Sequence, residues 1–160
     1  MTELIADILN LSIKRVDVNE LQLVVDLFDK YRIFYMQPSD ITLAESFLKE
    51  RLTNNESVIF VAFNKETPVG FTQLYPKYSS ARAVKNWILN DLYVEEEYRK
   101  LGIGKKLILT ATDFSRLNNA KFVQLETATD NYNAQHLYES MGFIKQAPDT
   151  EFIMYRINID

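Results

Sequence analysis

Apolar positions along the chain follow two periods, one suited to strands and one to helices. Leu11-Ser12-Ile13-Lys14-Arg15-Val16 partly alternates and predicts a first strand. Asp17 and Glu20 then stand three apart, the spacing of a capping box with Asp in place of Ser or Thr. Behind them Leu21, Val24, Val25, Phe28, Tyr31 and Tyr35 recur at helical spacing and predict a helix over 18–36. Pro38 breaks it. Thr42 and Glu45 repeat the capping-box spacing ahead of a second helix, with Ala44, Phe47, Leu48 and Leu52 inward and an end at Asn54-Asn55. Residues 1–9 are short and ambiguous, compatible with a leading turn of helix.

The middle of the chain reads as strands. Ser57-Val58-Ile59-Phe60-Val61-Ala62-Phe63 is β-branched and aromatic. Lys65-Glu66-Thr67-Pro68 is a turn, and Val69 to Leu74 returns as the second arm of a hairpin. Pro76 lacks a ladder donor and implies a bulge or an edge. After a turn at Tyr78–Arg82, Trp87 to Val94 is the next strand. A helix over 103–117 turns Ile103, Leu107, Ala111 and Phe114 inward and ends at Asn118-Asn119. Phe122 to Thr127 is a strand, and a last helix starts at Asp130 or Asn131 and buries Ala134, Leu137, Tyr138 and Met141. Gly142 is its C′ residue. Phe143-Ile144 and Phe152–Ile157 close the chain as strands around a turn at Pro148-Asp149. The order β-α-α-β-β-β-α-β-α-β-β, with hairpins and a strand-helix-strand crossover, predicts an α/β (α+β mixed) fold: a central mixed sheet with helices on both faces. With no repeat, linker or low-complexity segment, residues 1–160 are read as one domain.

Composition narrows the chemistry. A net charge of −4 gives no general reason to bind nucleic acid or an anionic membrane. There are no cysteines, which excludes disulfides, thiolate zinc sites and a cysteine nucleophile. The single histidine, His136, speaks against a histidine-rich metal site. The start, Met1-Thr2-Glu3-Leu4, lacks a signal-peptide pattern, and no run approaches the ~20 apolar residues of a membrane span. A cytoplasmic, metal-free protein is the expectation.

Two constellations carry chemistry. In Arg99-Lys100-Leu101-Gly102-Ile103-Gly104-Lys105 a glycine-bearing loop runs into a helix whose free N–H groups and partial positive charge suit a phosphate or pyrophosphate. Taken alone, such a loop is more often plain turn chemistry. A dinucleotide fingerprint needs a small residue where Leu107 stands, and a P-loop needs Ser or Thr where Lys106 stands. The second constellation is Asn131-Tyr132-Asn133-Ala134-Gln135-His136-Leu137-Tyr138-Glu139-Ser140-Met141-Gly142-Phe143. Alone, its Tyr138 reads as an amphipathic core residue.

Together, about 27 residues apart, the two are far more specific. Arg99, Gly102 and Gly104 match the R/Q-x-x-G-x-G/A motif of the GCN5-related N-acetyltransferase (GNAT) superfamily, and Asn131, Ala134, Leu137, Tyr138, Gly142 and Phe143 match its N-x-x-A-x-x-L-Y-x-x-x-G-F motif. The sequence resembles that family from Leu11 to Ile157. Its Asn90-Asp91-Leu92-Tyr93-Val94 strand end looks most like the small-molecule, polyamine or histone-tail members. The resemblance implies acetyl-CoA as co-substrate and direct transfer to the primary amine of a small molecule, polyamine or flexible peptide lysine in a ternary complex. It implies that the backbone of Lys100, Leu101, Gly102, Ile103, Gly104 and Lys105 holds the pyrophosphate, with Arg99 beside it. The main chain at Leu92 and Val94 would pair with the pantetheine arm between splayed central strands, Asn131 would contact that arm, and Tyr138 would protonate the departing thiolate. A homodimer is a possible assembly.

Such a transfer needs a base. A lysine-like amine has a pKa near ~10.4, so keeping it neutral at pH 7 costs roughly 4.6 kcal/mol. Asp91 and Glu126, near the ends of neighbouring strands, are the candidates. The glutamate of histone-modifying members has no match, since the aligned position is Ile88. The acceptor side is expected at the first two helices and the Tyr75–Ser80 loop, with Tyr31, Tyr35, Tyr75 and Tyr78 as substrate-binding candidates, Phe34 and Trp87 beside them, and Asp29, Asp40 and Glu45 favouring a cation. A catalytically silent acyl-CoA-binding sensor on the same fold is the alternative.

Overall fold

The structure is a computed structural model that describes residues 10–159; the helical turn expected within 1–9 lies outside the described residues. The described chain divides into two compact units, the first ending at Glu126 and the second beginning at Thr127.

The first unit is built on five strands: β1 (Leu11–Val16), β2 (Val58–Asn64), β3 (Thr67–Ser79), β4 (Val84–Val94) and β5 (Val123–Gln124). They lie in the order β1-β2-β3-β4-β5. The first four are antiparallel and β5 runs parallel to β4, so the sheet is mixed. Period-2 alternation divides β2 between two layers. Ile59, Val61 and Phe63 join the core beneath α1 (Val25–Phe34) and α2 (Ile41–Thr53), together with Phe28, Ala44, Leu48 and Phe71. Phe60 turns the other way and meets Phe114 of α3 (Ile103–Leu117) edge-on, at 5.6 Å between ring centroids. Helices thus cover both faces, as the alternation of strand and helix patterns predicted.

Local chemistry sets the helix ends. The Asp17/Glu20 capping box forms, but it heads a short 3₁₀ turn, Val18–Leu23, that precedes α1. The N-cap of α2 is Asp40, whose side chain accepts from Leu43 N at 2.9 Å, rather than Thr42. Beyond α1, α2 and α3 the chain reverses through Met36, Asn55 and Asn119 at φ 61°, 54° and 60°, closing Schellman-type bonds without glycine. Pro76 is tolerated in β3 because β2 pairs with β3 only as far as Leu74, leaving that side of Pro76 an open edge.

Gly70 is required for a close approach. A Cβ there would lie 2.9 Å from the Tyr93 carbonyl oxygen and 3.2 Å from Val94 Cγ2, so β3 and the end of β4 meet at a distance no side chain allows.

In the second unit α4 (Tyr132–Ser140) is capped by Asn131, which accepts from Ala134 N at 3.2 Å. It ends through Gly142 at φ 91°, where Gly142 N donates to Glu139 O and Phe143 N to Tyr138 O. The rings of Tyr138 and Phe143 pair across that cap at 6.0 Å. The closing strands expected at 143–144 and 152–157 are not formed, and the strand expected over 122–127 shrinks to Val123–Gln124. Composition favours extension at those sites, but a strand exists through ladder bonds to a neighbour, and none form there.

Candidate active site

A one-residue bulge shapes the middle of β4. Gln73 of β3 pairs with Asp91 and Leu74 with Leu89, so Asn90 is the extra residue. The bulge brings two adjacent polar residues to the α1 side. Asp91 is 2% exposed. Its carboxylate accepts from Asn90 Nδ2 at 2.8 Å and from the Nε2 of fully buried Gln73, and it bonds the Tyr31 hydroxyl. Tyr31 Oη also donates to the Asn90 carbonyl at 3.3 Å. Burial raises the Asp91 carboxyl above the usual carboxylate range despite these three donors. Burial and the nearby Asp91 charge together push the Tyr31 and Tyr75 hydroxyls up, so both stay protonated near neutral pH.

The aromatic candidates separate accordingly. Tyr31 and Tyr35 meet with tilted rings at 4.9 Å between centroids, and Tyr31 meets Phe71 edge-on at 5.9 Å. Tyr31, Tyr35 and Tyr75 therefore share the Asp91 neighbourhood. Tyr78 pairs with Lys85 nearer the hairpin end, and the Lys85 ammonium sits 5.7 Å from its ring. Trp87 is a core residue of the opposite face, packed on Phe114. The three acids expected to attract a cation have structural duties. Asp29 is buried and accepts from Ser39 Oγ, Asp40 N and Arg32 Nη1. Although burial alone would raise it, those donors hold the Asp29 carboxyl below its ordinary range. Asp40 caps α2, and Glu45 accepts from Gln22 Nε2 at 2.8 Å. Glu126 is exposed just beyond β5.

The loop between β4 and α3 has the geometry of an anion cradle. Lys100 and Gly102 adopt positive φ, 62° and 81°. Gly102 is the N-cap of α3 and supplies no side chain, so the first N–H groups of a 15-residue helix are uncapped. Arg99 folds back from this loop. Its Nε donates to the Val94 carbonyl at 2.9 Å and its guanidinium lies over the Tyr93 ring, clamping the loop to the end of β4. Glu95 anchors the same corner to α1 through Lys30 Nζ at 2.5 Å. Along its other edge β4 pairs with β5 only at Trp87 and Ile88, so Leu89 to Val94, including Leu92 and Val94, have no strand partner there among the described residues. That open edge ends at the cradle. Asn131 and Tyr138 belong to the second unit, where they cap α4 at its start and contribute to its closing cap.

Sequence reasoning missed Gln73 and the bulge at Asn90. The available signal was a glutamine beside Thr72 in the run Val69 to Leu74, on a strand that two helical layers had to bury.

Known proteins resemble this chain along most of its length. The chain matches the acetyltransferase (GNAT) family over residues 22–143. It is 40% identical over 149 residues to an uncharacterized N-acetyltransferase, YhfO, of Bacillus subtilis (strain 168), covering 93% of this chain and 98% of that one. The crystal structure of a probable acetyltransferase superposes with a TM-score of 0.83 at 38% identity, covering 93% and 98% of the two chains. An aminoglycoside N-acetyltransferase solved in complex with CoA shares the fold at a TM-score of 0.75 and 18% identity, covering 94% and 97%. No helix among the described residues is long and apolar enough to cross a membrane. The chain belongs to the acetyltransferase (GNAT) family and is an acetyl-CoA-dependent N-acetyltransferase.

Proposed function

We propose that the protein acetylates the primary amine of a small molecule, a polyamine or a lysine in a flexible peptide, by direct transfer in a ternary complex, with Asp91 as general base. The observation that carries this reading is Asp91 itself: a buried carboxylate with a raised pKa, beside a bulge on the strand whose open edge leads to the anion cradle. A base must take a proton that costs roughly 4.6 kcal/mol to remove from a lysine-like amine at pH 7, and a raised carboxyl pKa narrows that gap. Glu126, by contrast, is exposed. Tyr31, Tyr35 and Tyr75 form the wall against which the acceptor amine is presented.

The uncapped start of α3 and the positive-φ backbone at Lys100 and Gly102 fit a pyrophosphate, which supports assigning Lys100 to Lys105 to that group and Leu92 and Val94 to the pantetheine arm. An aminoglycoside enzyme of the same fold was solved with CoA, which supports a CoA site on this fold. When bound, acetyl-CoA supplies a thioester whose C–S bond breaks as the amine nitrogen bonds the acetyl carbon. Asp91 would take the nitrogen's proton; by the family resemblance, Tyr138 would give its proton to the leaving sulfur and Asn131 would contact the arm. Because the family match crosses the division at Glu126, both units are read as parts of one N-acetyltransferase domain.

The test is a thiol-release assay with acetyl-CoA against spermidine, an aminoglycoside and a lysine-bearing peptide, for wild type and Asp91→Asn. Turnover on one class, reduced roughly 10²–10⁴-fold by Asp91→Asn, is the expected result. Equal turnover by Asp91→Asn would remove Asp91 from the reaction.

A further inference from the structure

Gln73 has no evident structural reason to be where it is. It lies in β3 between Thr72 and Leu74, fully buried, in a sheet covered by helices. Its Nε2 donates to Asp91 Oδ2, and its Oε1 is buried with no hydrogen-bond partner. A buried amide with an orphaned oxygen costs stability, and an apolar side chain of the same length would avoid that cost. The amide's single tie is to the carboxylate. Asp91's other two donors have partners or positions of their own: Tyr31 also serves the Asn90 carbonyl, and Asn90 is exposed on the bulge.

We infer that Gln73 is a positioning residue for the proton transfer: its buried Nε2–H is a donor dedicated to the Asp91 carboxylate and holds that carboxylate in place for the amine. This deepens the reading of Asp91 as the base and rests on it. A carboxylate needs donors to stay ionised out of water, and the base must be ionised before an amine arrives. Gln73 stabilises the ionised form without bringing a charge that would compete for the cationic acceptor. A lysine there would neutralise the site, and a second acid would share the proton.

The groups facing Asp91 bear on its titration as a set. From α1 these are Tyr31, with the Tyr35 ring tilted against it; from β3, Gln73 and Tyr75; from β4, Asn90; and from the end of α2, Arg51, whose charge acts on Tyr75. Lys30, Glu95 and Arg99 act on Tyr93, two residues further along β4. Removing the Gln73 N–H leaves the others in place.

The experiment compares wild type with Gln73→Met, Gln73→Glu and Asp91→Asn. Two readouts are taken: the pH profile of kcat/KM for whichever of the three amines turns over, and a carbon-13 NMR titration of the Asp91 carboxyl, assigned by its loss in Asp91→Asn. Losing a donor to the ionised form raises the pKa. In Gln73→Met the acid limb and the NMR titration should both move to higher pH, by about one to two pH units. The high-pH plateau should stay near wild type, which a merely structural defect would not allow. Gln73→Glu, nearly the same shape, should move the limb in the same direction and serves if the Met variant does not fold. An Asp91 titration that stays at its wild-type pH in both variants overturns the role of Gln73 while leaving Asp91 as base. Wild-type kcat/KM and acid limb in Asp91→Asn overturn the base assignment, and the role of Gln73 with it.

Discussion

Gly70→Ala tests whether the approach of β3 to β4 sets the geometry of the cofactor edge. Gly70 pairs with Val94 and is buried. The added methyl would stand 2.9 Å from the Tyr93 carbonyl oxygen, 3.2 Å from Val94 Cγ2 and 3.4 Å from Val94 Cα. Two of these are backbone atoms, so no side-chain rotation relieves them. The strands must separate by a few tenths of an ångström at the end of β4 that Arg99 and Glu95 clamp to the loop and to α1. Overpacking of this kind costs about 1–3 kcal/mol. For a chain of this size that lowers Tm by about 2–12 °C. The displaced segment carries Val94 and leads into the cradle, so the KM for acetyl-CoA should rise while the acceptor KM changes less. Thermal melts and two-substrate kinetics on the purified variant decide it. A Tm within about 1 °C of wild type, with an unchanged KM for acetyl-CoA, would show that the sheet absorbs the methyl and refute the argument.

Gly102→Ala is the contrasting case: its Cβ meets nothing within 4 Å, so the cost is backbone strain at φ 81°, about 1 kcal/mol, seen as a slightly lower Tm and weaker CoA binding by calorimetry. Tyr138→Phe should lower kcat roughly 10²–10⁴-fold while CoA affinity holds, and an unchanged kcat would end its role as acid. Because burial raises the Asp91 carboxyl, the native state binds a proton there more tightly than the unfolded chain, whose value lies near 3.8. The ionised form therefore costs stability above that pH, so Asp91→Asn should melt higher than wild type at pH 7, with the gap closing as pH falls through the folded pKa. A wild type that melts higher at pH 7 would contradict this.

The sequence by itself determined what local physics decides. β1 and α3 were read with the bounds the structure has, because alternation and helical spacing identify a buried face without reference to partners. Gly102 and Gly142 were legible as a loop glycine and a helix terminator, and the paired motifs identified the family. The tertiary structure decided what depends on neighbours. Thr42 and Asp40 both offer a cap, and the chain's entry into α2 chose Asp40. The segments 143–144 and 152–157 have strand composition, yet a strand needs a ladder, and local preference cannot supply one. Asp91 and Glu126 were equal candidates on paper. A bulge at Asn90, a glutamine one strand away and a tyrosine about 60 positions earlier in the chain surround Asp91, while Glu126 stands exposed; burial and donors come from residues distant in sequence.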